Sequence, residues 1–161
     1  MRDNLPPFVP SDNLESQRVY ADENGGVCGP ASIASIERTT VKVIVDKWPG
    51  GYRGYAPMRD MVQVLRELGW TVRRKRGSKN RQWPSPSTDL AIVRIQWLDD
   101  DGQEYYWAVA PLHTHYVAMK KIGEDWYVFC NGTGVFRTSS YAGAHYFDIG
   151  YMTSYLELER K

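Results

Sequence analysis

Residues 25–32 read GGVCGPAS, and this stretch decides which fold the rest of the chain is expected to adopt. Pro30 suits the first turn of a helix, where its missing N–H has no hydrogen bond to make. The residues that follow it are small, as expected of a helix that packs closely against a sheet. The sequence therefore predicts a helix over roughly residues 28–38, with Cys28 at its mouth and a turn-prone loop before it.

The segments after this helix change from a helical to a strand-like pattern. MRDMVQVLRELG, residues 58–69, spaces its apolar side chains along one helical face and ends in glycine, which indicates a second helix. Residues 40–48 leave helix and strand both open. Strands are predicted for WTVRRK, AIVRIQWL, EYYWAVA, HYVAMKKI and DWYVFC, the last two as an antiparallel hairpin. Helices first and strands afterwards indicate the α+β fold class.

The domain organisation follows from the length of the chain and the composition of its N-terminus. Residues 1–16 are rich in Pro, Asp, Asn and Ser, and they are predicted to form an extended N-terminal arm. Residues 17–161 are predicted to form a single domain, which is long enough to bury a core without disulfides or metals.

Cys28 is the candidate nucleophile. A free thiol has a pKa of about 8.5, and the positive end of a helix lowers that pKa and favours the reactive thiolate. Backbone N–H groups at the same helix start can also bind an oxyanion. Gly25 and Gly26 precede Cys28 and would allow a substrate backbone to approach closely. A small buried cysteine without a chemical role is the competing interpretation.

His115 and Asn131 are the candidate partners of this thiol. His115 begins the first strand of the predicted hairpin and Asn131 follows the second, so antiparallel pairing brings them together. An Asn carbonyl that accepts from one imidazole nitrogen leaves the other free to take the thiol proton. Asn131-Gly132 is also a common turn dipeptide, which is the alternative. His113 is expected to be a cleft-wall or substrate-contact residue and the reserve base.

With these residues in this order, the sequence resembles the papain-like cysteine peptidases. CGPAS opening a helix, a second helix that ends in Leu-Gly, and His and Asn on paired strands are similar to the bacteriocin-processing (C39-like) branch. The resemblance covers roughly residues 20–135. It implies a papain-like fold in which helices pack on an antiparallel sheet, with Cys28, His115 and Asn131 as the catalytic triad.

The resemblance also identifies candidates for the oxyanion site. Such enzymes usually place a Gln six residues before the nucleophile, but this chain has Asp22 there, and an ionised carboxylate cannot donate a hydrogen bond. Asn24 lies in the same loop and is the preferred substitute. Gln17 is the second choice.

Cys28 and Cys130 are the two cysteines, and two other arrangements would use them. A zinc site could combine them with His113 and His115, but neither C-x-x-C nor H-x-x-x-H spacing is present, so no metal and no cofactor are predicted. A Cys28–Cys130 disulfide is the other arrangement. If Asn131 faces the cleft, its neighbour Cys130 points the other way, so the disulfide and the triad exclude each other.

The bulk composition argues against several classes of function. A net charge of +1 does not favour nucleic-acid binding, and the basic run over residues 73–81 is interpreted as a solvated loop. The longest apolar runs fall far short of the ~20 residues that cross a bilayer, and the N-terminus has no signal-peptide pattern. No membrane association and a cytoplasmic location are therefore expected.

Two functions from different classes remain. The first is thiol-dependent acyl transfer by a cysteine peptidase or isopeptidase that acts on a protein or peptide substrate; deamidation and transglutamination would use the same groups. The alternative is a catalytically silent papain-like binding module, such as a phage-encoded or toxin-related effector that engages a host protein. Asp22 motivates this alternative, together with 11 Tyr and 6 Trp, because aromatic residues are enriched at interfaces.

Overall fold

The computed structural model describes residues 8–13, 15–18, 21 and 25–161, with Ser78 described by its backbone only. In these residues the α-helices are α1 (Cys28–Glu37), α2 (Val41–Val45), α3 (Met58–Glu67) and α4 (Tyr141–His145), and residues 15–18 are also helical. The strands are β1 (Trp70–Asn80), β2 (Leu90–Trp97), β3 (Thr114–Ile122), β4 (Asp125–Cys130), β5 (Gly134–Arg137) and β6 (Gly150–Arg160). Short 3-10 helices span Ala110–His113 and Tyr146–Asp148.

The strands form one antiparallel sheet in the order β1-β6-β2-β3-β4-β5. The last strand of the chain, β6, pairs with both β1 and β2 and so closes the middle of the sheet. The predicted hairpin of β3 and β4 is present, with Ala118 opposite Phe129. Three α-helices therefore precede the strands and α4 lies between β5 and β6, an arrangement that fits the predicted α+β class.

Both faces of the sheet are covered, and the strands alternate between two apolar clusters accordingly. In β2, Ile92 packs toward the helices, whereas Ala91 and Val93 belong to the opposite face. The helical side is filled by aliphatic residues of α1, α2 and α3. The other side is covered by aromatic residues from a loop, a short helix and the strands β2 and β5: Trp83, Tyr146, Phe147, Trp97 and Phe136.

The start of α1 is held in place by a glycine that permits close packing. A Cβ on Gly29 would lie 2.6 Å from Cβ of Ala56 and 3.0 Å from Sδ of Met61, so the helix could not approach α3 with a side chain there. The Ser32 hydroxyl donates to the Cys28 carbonyl at 2.8 Å, which satisfies a small polar residue inside the helix. Arg38 ends α1 in the left-handed conformation (φ 56°).

The structure decides one segment that the sequence left open and corrects the prediction for another. Residues 40–48 contain a helix, α2, because the Thr40 hydroxyl accepts from Val43 N–H at 3.3 Å and caps it. EYYWAVA, in contrast, forms a loop and turn before the 3-10 helix rather than a strand. Its neighbours β2 and β3 already have partners on both sides, so this segment has no free sheet edge to join.

The described part of the predicted N-terminal arm packs against the α1–α2 junction. Phe8 is buried in the helical cluster, Ser11 N–H donates to the Thr39 carbonyl at 3.0 Å, and Val41 N–H donates to the Asp12 carboxylate at 3.3 Å. Among the described residues, no helix is long and apolar enough to cross a membrane.

Candidate active site

Cys28 is the first residue of α1 and is partly buried. Burial raises the pKa of its thiol, but the hydrogen bond and positive charge of His115 and the backbone N–H groups of Tyr116 and Gly29 lower it below the ordinary value. The net direction is downward. His115 is thus the main cause that favours the thiolate at this position, and the effect of the helix macrodipole stays a prediction.

His115 is the second residue of β3, and its ring lies between two sulfur atoms. Its Nε2 is 3.1 Å from Sγ of Cys130, which leaves Nδ1 as the nitrogen that can serve Cys28. Burial lowers the pKa of the imidazole, but the hydrogen bonds and charges of Cys130 and Cys28 outweigh it and raise the pKa to about 10. The ring therefore favours the imidazolium form, with an N–H for each sulfur.

Aromatic rings and one buried amide hold this histidine in place. Trp97 stacks on the His115 ring with 5.4 Å between ring centroids and 26° between planes, and Tyr146 contacts the ring at 6.1 Å. The Gln96 amide donates to the carbonyls of Ala110 and His113, at 3.0 and 3.1 Å. These bonds fix the 3-10 helix that leads into β3, and so they position the start of the strand that carries His115.

Cys130, not Asn131, is the residue that contacts Nε2 of His115. The register pairs Ala118 with Phe129, so Cys130 comes opposite Val117 and shares a face of the hairpin with His115. Asn131 is one residue further and points elsewhere. In the part of the chain that the structure describes, no hydrogen bond joins Asn131 to His115, so the orienting role predicted for Asn131 is not supported by these contacts.

Asn131 instead lines an open cavity of about 580 Å³ beside the site. The other lining residues are Glu15, Arg18, Ala21 and Gly132. A Cβ on Gly132 would lie 3.9 Å from Sγ of Cys130, so one wall of the cavity adjoins the Cys130 sulfur. Asn131 thus lies on the wall of this cavity, next in sequence to Cys130.

Of the two predicted oxyanion donors, the structure describes only Gln17. Asn24 and Asp22 lie outside the described residues. Gln17 is 1% exposed, and its amide nitrogen donates to the backbone carbonyl and to the carboxylate of Asp12, at 3.1 and 3.3 Å. The Oε1 atom of Gln17 is buried without a hydrogen-bond partner. Within the described residues these bonds join Gln17 to Asp12 and none joins it to Cys28, so its oxyanion role stays a prediction.

The predicted substrate-contact residues have structural partners. Gly25 has φ +89°, and a Cβ on it would lie 2.6 Å from Cα of Gly54. The Tyr52 hydroxyl donates to the carbonyl of Gly26. These contacts pack the loop before Cys28 against the loop that precedes α3. The His113 ring stacks on Tyr105, with centroids 3.6 Å apart and planes 2° apart, which accounts for its position without a contact to Cys28.

Cys28 and Cys130 are both free thiols, so the bridge that would exclude the catalytic arrangement is not formed. Among the described residues, no group of three or more His, Cys, Asp or Glu side chains is arranged to hold a metal ion.

Sequence reasoning missed three residues of this site: Cys130, Tyr146 and Trp97. The register of the hairpin was the available signal for Cys130, because strand alternation assigns either Cys130 or Asn131 to the His115 side. No local pattern marked the two aromatic residues, which reach the ring from other parts of the chain.

Solved structures share this architecture, and one of them shows what kind of protein has it. It is a double glycine motif protease from an AMS/PCAT transporter, crystallised in complex with the leader peptide. The TM-score is 0.52, with 14% sequence identity over 83% of this chain and 84% of that chain. No protein-family model and no curated protein sequence matches the chain. The structural likeness shows that this chain shares the α+β fold of that protease domain.

Proposed function

We propose that this chain is a thiol-dependent acyl-transfer enzyme, a cysteine peptidase or isopeptidase in which Cys28 is the nucleophile and His115 the proton carrier. The observation that carries the proposal is the pairing of a helix-start thiol with a buried imidazole, in which the pKa of Cys28 is lowered and that of His115 is raised. Each shift favours the charged form that nucleophilic attack by a thiolate requires.

The proposed reaction begins when the Cys28 thiolate attacks a substrate carbonyl carbon. The negative charge moves to the carbonyl oxygen, where the backbone N–H of Cys28 at the open end of α1 would stabilise it. Nδ1 of His115 then gives its proton to the leaving amine, and the C–N bond breaks to leave a thioester. Water, deprotonated by the now neutral His115, attacks the thioester and releases the acid and the Cys28 thiolate.

The fold neighbour supports a protein or peptide substrate. That protease was crystallised with a leader peptide, and the substrate proposed here is likewise a peptide segment presented to the Cys28–His115 pair. Asn131, on the wall of the adjoining cavity, is then a candidate substrate contact. Deamidation and transglutamination would use the same thiolate and imidazole with a different acyl donor or acceptor.

Alkylation by iodoacetamide at about pH 6 tests the central claim. A free thiol with a pKa of about 8.5 is almost wholly protonated there, so Cys28 is expected to react at least about tenfold faster than free cysteine. A Cys28→Ala variant is the matched control and should lose this rapid phase. If Cys28 reacts no faster than free cysteine, it is not an activated nucleophile. Peptides with a double-glycine motif are the first substrates to assay for cleavage.

A second candidate function is a binding module without catalysis, favoured by an exposed aromatic loop. Tyr106, Trp107 and Leu112, in the segment between β2 and β3, are 66%, 76% and 72% exposed, which is unusual for large apolar side chains outside an interface. The Cys28→Ala variant separates the two functions. A full biological effect without the thiol supports binding, whereas loss of the effect with the fold retained supports catalysis.

A further inference from the structure

The sulfur of Cys130 has an environment made of hydrogen-bond donors. Nε2 of His115 lies 3.1 Å from it, the Tyr146 hydroxyl donates to it at 3.4 Å, and the Thr133 side chain also hydrogen-bonds to it. Thr133 is held in position by the turn after β4, where its N–H donates to the Cys130 carbonyl at 3.2 Å. The ring nitrogen and the hydroxyl both lie within hydrogen-bonding distance of this sulfur, an arrangement that suits a thiolate, since a neutral thiol is only a weak acceptor.

Burial distinguishes this sulfur from that of Cys28. Cys130 is 4% exposed and lies in the apolar cluster on the aromatic side of the sheet. An uncompensated anion there would be costly, so an anion at this position requires its donors. The titratable groups that face it are His115 and Tyr146, with Cys28 across the imidazole.

The direction of each pKa agrees with this reading of the geometry. Burial raises the pKa of Cys130, but hydrogen bonds from His115, Tyr146 and Thr133 and the charge of His115 lower it to about 6. The pKa of Tyr146 is raised, by burial and by the negative charge of Cys130, so its hydroxyl keeps its proton and remains a donor.

We propose that Cys130 is the positioning residue for His115, and that it acts as a buried thiolate which accepts the Nε2–H hydrogen bond. In this role the sulfur does what a side-chain carbonyl or carboxylate does in a Cys-His-Asn or Cys-His-Asp arrangement. The inference deepens the proposed function, on which it rests, because His115 matters to catalysis through Cys28.

The proton balance follows directly. A neutral imidazole and two thiols carry three protons; the imidazolium keeps two of them, one on each ring nitrogen, and the third goes to solvent, which leaves Cys28 and Cys130 as thiolates. When Nδ1 gives its proton to the leaving amine, the ring becomes neutral and keeps the proton on Nε2, where the Cys130 thiolate holds it. Cys130 thus fixes the tautomer that has Nδ1 free to accept a proton again in the hydrolytic step. No oxidant or further reactant takes part.

The first experiment measures Cys130 without depending on catalysis. The ultraviolet absorbance of the thiolate is titrated with pH in the Cys28→Ala chain, where Cys130 is the remaining cysteine. A thiolate that persists well below the free-thiol pKa of about 8.5 is expected, and it should disappear in the Cys28→Ala/Cys130→Ala chain. A thiol that titrates at or above 8.5 would overturn the proposal, even if the full chain proved to be a peptidase.

The second experiment asks whether Cys130 acts through His115. In Cys130→Ala, the pH profile of Cys28 alkylation is expected to shift upward by about one unit, which is about tenfold less thiolate near pH 6. Cys130→Asp, which restores an anion, should return the profile toward that of the parent chain. Tyr146→Phe should raise the pKa of Cys130 while the fold is kept.

An unchanged Cys28 profile in Cys130→Ala would show that Cys130 is merely structural. If the Cys130 thiolate is present but Cys28 is not activated in the parent chain, then the proposed function fails while the thiolate assignment stands. If Cys130→Ala does not fold, the titration in Cys28→Ala still decides the ionisation state.

Discussion

The start of α1 and the end of β4 each present a cysteine to the same imidazole, but in different surroundings. Cys28 is partly exposed at a helix start, and in the proposed function this is the thiol that a substrate reaches. Cys130 is buried among apolar side chains and is surrounded by donors from His115, Tyr146 and Thr133. An accessible thiol is suited to attack a substrate. A buried thiol is suited instead to accept a hydrogen bond from the imidazole and so to position the ring. Access, rather than residue type, separates the two roles.

The largest expected difference between the two regions is in the rate at which their cysteines are alkylated. In the native chain, iodoacetamide should label Cys28 at least about a hundredfold faster than Cys130, because a buried thiol reacts only after local opening. Mass spectrometry of the peptides that contain each residue measures both rates at once. In denaturant the two rates should become similar. Native labelling at Cys130 that matches the rate at Cys28 would contradict the proposed difference in access.

Replacement of the shared imidazole should change both regions together. In His115→Gln, the pKa of both thiols is expected to rise, and Cys28 alkylation near pH 6 should fall by at least about tenfold. The matched control is His113→Gln, since the His113 ring stacks on Tyr105 and makes no described contact with either cysteine. Equal losses in the two variants would show that the effect is not specific to the ring between the sulfurs.

The pH dependence of stability has a sign that follows from the same shifts. His115, with its pKa raised to about 10, stabilises the fold below its unfolded pKa and loses this contribution as the pH rises through about 10. Cys130, with its pKa lowered to about 6, contributes above its unfolded pKa and loses this as the pH falls through about 6. Between these limits the two slopes oppose each other.

Denaturant unfolding should therefore show a stability plateau between the unfolded pKa values of His and Cys, about 6.5 and about 8.5, with a loss toward about pH 6 on the acid side and toward about pH 10 on the alkaline side. In the Cys130→Ala variant, the fall in stability on the acid side should disappear, because that fall comes from protonation of Cys130. A parent chain whose stability keeps rising through this window would contradict the imidazolium–thiolate arrangement.

Gly29 and Gly26 lie on either side of Cys28, and replacing each with alanine gives two matched variants. The expected loss of stability is smaller than the effects above. In Gly29→Ala, the new Cβ would meet Ala56 at 2.6 Å, and overpacking of this kind costs about 1–3 kcal/mol. In Gly26→Ala the nearest atom is 3.8 Å away, so the change should stay within about 0.5 kcal/mol. Chemical denaturation measures both. Equal costs would mean that the start of α1 is not closely packed.

Replacement of Arg160 is expected to have the smallest effect on stability. It also serves as a control, because Arg160 lies away from the two cysteines. Its guanidinium lies 4.0 Å from the Trp70 ring centroid and pairs with Glu37 at 3.2 Å, which ties the end of α1 to the sheet edge. Because Arg160 is about half exposed, Arg160→Ala should cost about 1 kcal/mol or less. Alkylation of Cys28 should not change. A change in that rate would show that the sheet edge is coupled to the site.

Local signals in the sequence were sufficient for the helix at Cys28 and for the β3–β4 hairpin. Pro30 and the small residues after it mark a helix start, and alternation marks paired strands. EYYWAVA had the composition of a strand but forms a loop, because strand formation needs a free neighbour and none is available there. Composition cannot report which edges of a sheet are already paired.

The sequence by itself determined that one thiol stands at a helix start and that one imidazole lies across a hairpin from the Cys130-Asn131 pair. Only the tertiary structure decided which of those two residues meets the imidazole. Neighbouring strand residues point to opposite faces, so a one-residue change of register exchanges them, and register is set by packing on both sides of the sheet. The aromatic rings around His115 come from distant segments and are likewise assembled only by the fold.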